Sequence, residues 1–253
     1  MSGHSKWHSI KHKKGAADAK RGALFTKLSK NITLAARDGG GDIEMNSSLR
    51  MAIDKAKQSN MPKTNIERAI KKGTGELNDG AILEEITYEG YGPSGVAIMV
   101  HCITDNKNRT ISNVRHAFTS HGGSMGEPGS VAWMFEQKGE IEINLANNSD
   151  VADEEALEMM AIEAGAEDIE KVAESVVITT NPKGFHDVKK YLEDKGVTME
   201  RAELTMQPND VVTIEDVSIA KKISNLLEAL DEDEDVSDVH TNFDVPEELM
   251  SEL

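Results

Sequence analysis

Apolar residues recur every three or four positions in three segments of the N-terminal third of the chain. This spacing places them on one face of an α-helix, at about 100° per residue. It predicts helices over residues 17–37, over residues 44–59 and from about residue 64. The inward-facing residues of the first two helices are Phe25, Leu28, Ile32, Ala35, Met45, Leu49, Ala52, Ile53 and Ala56.

The third helix carries signals for both of its ends. Thr64 and Glu67 have the spacing of a capping box, ahead of an apolar face that includes Ile66 and Ile70. Gly73 follows two lysines and is expected to end the helix. The three helices predict a small bundle.

Beyond this bundle, short strands alternate with helices. Residues 139–206 have the order strand, helix, strand, strand, helix, strand, which is that of the ferredoxin-like fold. The segment before this unit lacks a second helix and a final strand, and residues 210–243 supply both. The sequence therefore predicts an α+β multidomain protein, with an N-terminal three-helix bundle and two ferredoxin-like α/β domains, one inserted in the other. The expected domains are 1–80 for a basic arm and the bundle, 81–136 with 207–253 for the discontinuous domain, and 137–206 for the insert.

Charge is divided unevenly along the chain. Residues 1–75 hold 16 Lys+Arg and 6 Asp+Glu, a net of +10, whereas residues 76–253 hold 12 and 39, a net of −27. A cationic segment on an acidic protein points to a polyanion such as nucleic acid as the partner of the cationic part.

The composition argues against several other classes of protein. No apolar run approaches the roughly 18 residues of a membrane span, and the N-terminus lacks the apolar core of a secretory signal. A single cysteine, Cys102, excludes an internal disulfide and a cysteine-based zinc site. We expect a cytoplasmic protein with no membrane partner, cofactor, bound metal or small-molecule substrate.

The first fourteen residues contain four lysines, three histidines and a tryptophan, but no acid. Lysines attract phosphates, and each neutralised phosphate releases counterions. A tryptophan can stack on an unpaired base, and histidines can donate to phosphate. The nucleic-acid contacts predicted in this arm are Lys6, Trp7, His8, Lys11, His12, Lys13 and Lys14. The alternative is a solubilising tail.

The first predicted helix continues this positive charge. Its face opposite the apolar residues carries a cationic stripe, so the predicted interface also includes Lys20, Arg21, Lys27 and Lys30. No segment shows the recognition helix of a helix-turn-helix, studded with base-reading side chains. Because phosphate contacts carry no sequence information, we expect weak sequence specificity.

A second phosphate site is predicted where a helix begins near Asn106. Lys107 and Arg109 lie at or beside its N-terminus, where free backbone N–H groups favour anions. The alternative is a capped helix start whose cations are simply exposed.

Other motifs have plainer interpretations. Residues 90–95 have the glycine spacing of a dinucleotide-binding loop, but a strand follows where that motif needs a helix, so a hairpin turn is expected. Cys102 is expected to be a core thiol. The glycine-rich residues 122–129 are either a connector or a surface that adapts to a partner. The acidic run 231–235 is expected to be a solvated turn.

Four motifs resemble the YebC family: Met1–Lys14, Tyr88–Pro93, Thr104–Thr110 and Gly129–Trp133. The resemblance covers essentially the whole chain. It implies a helical N-terminal bundle and two α/β domains, one interrupting the other, in a cytoplasmic regulator with no agreed catalytic site. Bacterial members are mostly described as probable DNA-binding transcriptional regulators. The mitochondrial branch and some bacterial members act in translation on the ribosome, including relief of stalling at proline-rich stretches.

Two functions therefore stay open. One is DNA binding in transcription, and the other is a ribosome-bound translation factor whose basic arm becomes ordered inside folded ribosomal RNA. An enzyme such as a metal-dependent nuclease would need an organised acid cluster at strand ends, which the sequence does not supply. We expect a non-enzymatic, nucleic-acid-binding regulator of gene expression.

Overall fold

The computed structural model describes residues 18–77, 80, 82–148, 154–172 and 174–250. These residues fall into two compact units, one formed by 135–209 and the other by the residues that flank it. The predicted class is confirmed, since helices at the N-terminus precede two four-stranded antiparallel sheets.

The bundle consists of three helices, which are α1 (Asp18–Gly39), α2 (Ser47–Gln58) and α3 (Lys63–Gly73). Their predicted apolar faces meet in one core. The buried residues of this core are Leu28, Ile32, Ala36, Leu49, Ile53, Ala56, Met61, Ile66 and Ala69. Phe25, Ala35, Ala52 and Ile70 are partly buried against it.

The start of α2 differs from the prediction. Met45, predicted to face the core, is 84% exposed and precedes the helix. Asn46 is the N-cap, because its side-chain oxygen accepts the N–H of Leu49 at 2.9 Å. The same buried amide donates to the carbonyls of Ala35 and Gly40 at 2.8 Å. A capping residue thus overrides the continuation of the apolar period.

The predicted capping box of α3 is wrong. The helix begins one residue earlier, at Lys63, with Pro62 at the N-cap and no side-chain hydrogen bond to the cap. Proline fixes its own backbone dihedral but has no side-chain acceptor to offer. Thr64 and Glu67 are exposed.

The flanking unit continues with a hairpin and a helix. The hairpin strands pair antiparallel, and the turn at Pro93–Gly95 joins them, which agrees with the hairpin predicted for residues 90–95. Ser94 and Gly95 have positive φ angles of 59° and 77°, as tight turns require. The elements are β1 (Glu84–Tyr91), β2 (Ala97–Thr104), α4 (Lys107–Ser120) and β3 (Ser124–Met125).

The second unit contains β4 (Phe135–Asn144), α5 (Glu154–Ala164), β5 (Asp168–Val172), β6 (Ser175–Thr180), α6 (Phe185–Asp194) and β7 (Arg201–Pro208). Its strand order, β5-β6-β4-β7, is antiparallel throughout and matches the ferredoxin-like pattern. Fully buried residues on its strands and helices include Ile141, Ile143, Leu157, Ile178 and Leu192.

The chain then returns to the flanking unit with β8 (Val212–Thr213), α7 (Val217–Glu232), β9 (Val236–Thr241), β10 (Phe243–Asp244) and α8 (Glu247–Met250). β9 pairs with β2, so residues from both sides of the insert share one sheet of order β3-β1-β2-β9. Helices α4 and α7 share a buried core with this sheet, which includes Val100, Val114, Phe118, Leu226 and Val239. We call this part of the flanking unit the middle domain.

Candidate nucleic-acid interface

The structure bears on only part of the predicted interface. The arm residues Lys6, Trp7, His8, Lys11, His12, Lys13 and Lys14 lie outside the described residues. Lys20 lies in the first turn of α1, but its side chain is likewise outside the described part of the structure. Arg21 is exposed on α1.

Lys27 and Lys30 do not form an open cationic stripe. Lys27 is only 8% exposed; its ammonium donates to the backbone carbonyl of Asp231 and lies 3.7 Å from that residue's carboxylate. Lys30 donates to the carbonyl of Glu234 at 2.8 Å and to the carboxylate of Asp235 at 2.7 Å. Both lysines therefore hold α1 against the acidic end of α7, and we leave them out of the proposed interface.

Asp235 is the centre of this contact. Its carboxylate accepts hydrogen bonds from Arg109 at 2.8 Å, from the Thr110 hydroxyl at 2.9 Å and from Lys30. The residue is 3% exposed, so the expectation of a solvated acidic turn is wrong at this position. Burial raises the pKa of Asp235, but the hydrogen bonds from Lys30, Arg109 and Thr110 outweigh burial and hold the pKa below its usual value.

The same contacts occupy the cations of the predicted second phosphate site. Besides Asp235, Arg109 reaches Asp105 at 3.0 Å, and the ammonium of Lys107 lies 2.5 Å from Glu84. Asn106 caps α4 by accepting the N–H of Arg109 at 3.1 Å. The geometry is thus that of a capped helix start, the alternative left open by the sequence, and Lys107 and Arg109 are not part of our proposal.

Further polar contacts join the bundle to the middle domain. The ammonium of Lys55 on α2 lies 3.4 Å from the carboxylate of Asp238. The Ser237 hydroxyl donates to the side-chain oxygen of Asn31 at 3.1 Å. Arg37 donates to the carbonyl of residue 83. Residues separated by up to about two hundred positions in sequence are brought together in this way, and no local pattern could have shown it.

The glycine-rich loop after α4 is held by a carboxylate that the sequence analysis missed. Glu89 is 7% exposed and accepts the backbone N–H groups of Gly129, Val131 and Ala132 at 2.6, 2.7 and 2.8 Å. Burial raises the pKa of Glu89, but these three hydrogen bonds lower it below the usual value. The carbonyl of Ser130 accepts the Tyr91 hydroxyl at 2.8 Å. These contacts hold the end of the loop at Gly129 and the residues that follow it.

Cys102 is the core thiol that its sequence context predicts. It is fully buried, and burial together with the nearby carboxylates of Asp233 and Asp235 raises its pKa to about 12. Such a thiol stays protonated near neutral pH and is a poor nucleophile. Among the described residues, no group of three or more His, Cys, Asp or Glu side chains is placed to hold a metal ion.

A group of cations that face solvent lies on the outer side of α3. Ile66 and Ala69 are buried, whereas Lys63, Arg68 and Lys71 are exposed. The sequence pattern of this helix predicted its apolar face and its two ends. Placing its remaining residues on the same helical wheel would have revealed the cationic side. No helix within the described ranges is long and apolar enough to cross a membrane.

Comparisons with known proteins cover almost the whole chain. A family model described as "TACO1/YebC protein N-terminal domain" matches residues 5–76, and one described as "TACO1/YebC second and third domain" matches residues 83–243. Proteins named "Probable transcriptional regulatory protein" from Persephonella marina and Halothermothrix orenii are 53% and 51% identical to it. Both alignments cover 100% of this chain. They cover 100% of the Persephonella protein and 99% of the Halothermothrix protein.

A solved structure shows the same fold. The crystal structure of a conserved hypothetical protein from Aquifex aeolicus is 50% identical in sequence and has a TM-score of 0.82. The match covers 91% of this chain and 93% of that one.

Proposed function

Because the chain belongs to the TACO1/YebC family, we propose that it regulates gene expression by binding nucleic acid, without catalysing a reaction. The observation that carries this proposal is the separation of charge, a net of +10 over residues 1–75 against −27 over the remainder. A cationic segment attracts a polyphosphate, while the acidic remainder is repelled by it. The names of the bacterial relatives support a regulatory role.

The contact surface we propose is the basic arm with the cations at the start of α1. In the arm it comprises Lys6, Trp7, His8, Lys11, His12, Lys13 and Lys14, followed by Lys20 and Arg21 at the start of α1. In this proposal the lysines neutralise phosphates and Trp7 stacks on a base. Lys27 and Lys30 support this surface indirectly, since they hold α1 on the middle domain.

The first candidate role is DNA binding in transcription, and the names of the bacterial relatives favour a role in transcription. The second is binding of ribosomal RNA as a translation factor that promotes elongation. An arm that combines lysines with one tryptophan favours this role, since unpaired bases in folded RNA can stack on an aromatic ring. Under both roles the protein acts in the cytoplasm and needs no cofactor.

The experiment that separates these roles is crosslinking in living cells, followed by sequencing of both the DNA and the RNA attached to the protein. Enrichment of promoter DNA supports transcription, and enrichment of ribosomal RNA supports translation. Recovery of neither nucleic acid above an uncrosslinked control would contradict the proposed function itself.

A further inference from the structure

The sequence pattern did not indicate a helix-turn-helix, but helix α2, the four residues after it and helix α3 have the lengths of one. Twelve residues of helix and a four-residue turn, 59–62, lead into eleven residues of helix. Asn60 has a left-handed φ of 57°, its N–H donates to the carbonyl of Lys57, and the N–H of Met61 donates to that of Ala56, both at 2.9 Å. This pair of bonds is a Schellman motif, which turns the chain sharply at the end of α2.

Packing fixes which side of α3 faces outward. Ile66 and Ala69 are buried in the bundle core, and the Thr33 hydroxyl of α1 donates to the carbonyl of Ala69 at 3.2 Å. A Cβ at Gly73 would lie 2.4 Å from the carbonyl oxygen of Thr33, so only glycine permits this approach. The buried side of α3 therefore packs closely on α1, and the opposite side faces solvent.

The opposite row carries polar and cationic side chains. Thr64, Arg68 and Lys71 are spaced by four and three residues, which places them together on the outward face, and all three are exposed. Within the described part of the chain, Arg68 and Lys71 have no ion pair through their side chains. Glu67 is the single acidic residue of this helix, and its carboxylate lies 3.8 Å from the ammonium of Lys63.

We propose that α3 docks in the major groove of B-form DNA. In this arrangement Arg68 donates to base edges, and Thr64 and Lys71 contact the flanking phosphates. Arginine is the side chain that most often reads guanine in this groove, and lysine is suited to phosphate. This inference rests on the proposed function and assigns duplex DNA as the target.

The shape of α3 favours DNA over duplex RNA. An α-helix with its side chains is about 10–12 Å across, which matches the major groove of B-DNA at about 12 Å wide. The major groove of A-form RNA is deep and too narrow for side chains to be read. A helix-turn-helix places its second helix in the wide groove while the first crosses the backbone.

The test compares full-length wild-type protein with the double variant Arg68→Ala/Lys71→Ala. A matched control, Lys221→Ala/Lys222→Ala, removes the same charge from two exposed positions on α7. The probes are a pool of random 30-base-pair DNA duplexes and a pool of random RNA duplexes of equal length, titrated at one salt concentration. All four side chains are exposed, so both variants should fold like wild type. Thermal unfolding of each variant checks this.

We expect the α3 variant to bind the DNA pool about 10-fold or more weakly and the RNA pool within about 2-fold of wild type. The α7 control should bind both pools like wild type. Equal loss on DNA and RNA, or no loss on DNA, would overturn the groove assignment. If wild-type protein binds neither pool but binds folded ribosomal RNA, the groove assignment fails and the proposed function stands. If it binds neither pool and no folded ribosomal RNA, the proposed function fails, so the two failures are distinguishable.

A second measurement tests base reading by Arg68 alone. Sequences are selected from the DNA pool with wild-type protein and with Arg68→Lys, which keeps the charge but loses the two-pronged geometry of the guanidinium. We expect the variant to lose preference at one base-pair position. Identical enriched sequences from both proteins would remove the reading role.

Discussion

Asp235 accepts hydrogen bonds from side chains on α1 and α4, so its carboxylate joins the bundle to the middle domain. Replacing Asp235 with Asn keeps the shape but removes a buried charged acceptor from Lys30 and Arg109, of which Arg109 retains only its contact with Asp105. We expect the free energy of unfolding to fall by about 2 kcal/mol, measured by urea denaturation. Asp105→Asn is the control, since Asp105 also contacts Arg109 but is half-exposed; it should cost about 0.5 kcal/mol or less.

The contribution of Asp235 should also depend on pH in a defined direction. Its pKa is lower in the folded protein than the ordinary value of 3.8. Stabilisation by a carboxylate of lowered pKa is complete above the ordinary pKa and is lost as the pH falls through the folded value. The stability difference between wild type and Asp235→Asn should be constant from pH 5 to 7 and shrink below about pH 4. A difference that grows on acidification would contradict this assignment.

Glu89 performs a comparable role for the loop after α4. Its two carboxylate oxygens accept three backbone N–H groups, and Glu89→Gln would direct an N–H₂ group at one or more of these donors. We expect a loss of about 2 kcal/mol in unfolding free energy. Hydrogen exchange at the amides of Val131 and Ala132 should be faster in the variant. Unchanged exchange at both amides would show that the loop does not depend on Glu89.

At the scale of elements, the starts of α2 and α3 lead to opposite predictions for the stability of capping variants. Asn46 accepts the Leu49 N–H and donates to two carbonyls, so Asn46→Ala should cost about 2 kcal/mol. Thr64 makes no capping bond, so Thr64→Ala should change stability by about 0.5 kcal/mol or less. Urea denaturation of both variants decides the point. A loss of about 1 kcal/mol in unfolding free energy for Thr64→Ala would show that Thr64 caps α3 after all.

These starts also show where sequence patterns stop being informative. The spacing of apolar residues correctly indicated three helices and their buried sides, because burial of a face is a local and periodic property. It did not show that Asn46 would cap α2, since Met45 has the correct period for the core and yet lies outside the helix. Competition between a cap and an extra turn is decided by tertiary hydrogen bonds to Ala35 and Gly40.

At the scale of the whole molecule, the order of elements could be predicted but their packing could not. Alternating strands and helices predicted a strand-helix-strand-strand-helix-strand unit over residues 139–206, and the observed elements have this order over 135–208. The cationic stripe on α1 was interpreted as solvent-facing, whereas Lys27 and Lys30 pack on residues about 200 positions away. Charge pattern alone cannot distinguish cations reserved for a nucleic acid from cations that pair with the protein's own acids.

The positive N-terminal segment is proposed to bind the phosphates of a nucleic acid. This proposal is tested most directly by the salt dependence of binding to a DNA duplex and to ribosomal RNA, compared between the full chain and a variant with Lys6, Lys11, Lys13 and Lys14 changed to Gln. If all four lysines contact duplex phosphates, the slope of log K against log salt should become less steep by roughly 3 to 4. An unchanged slope on both nucleic acids would contradict the account.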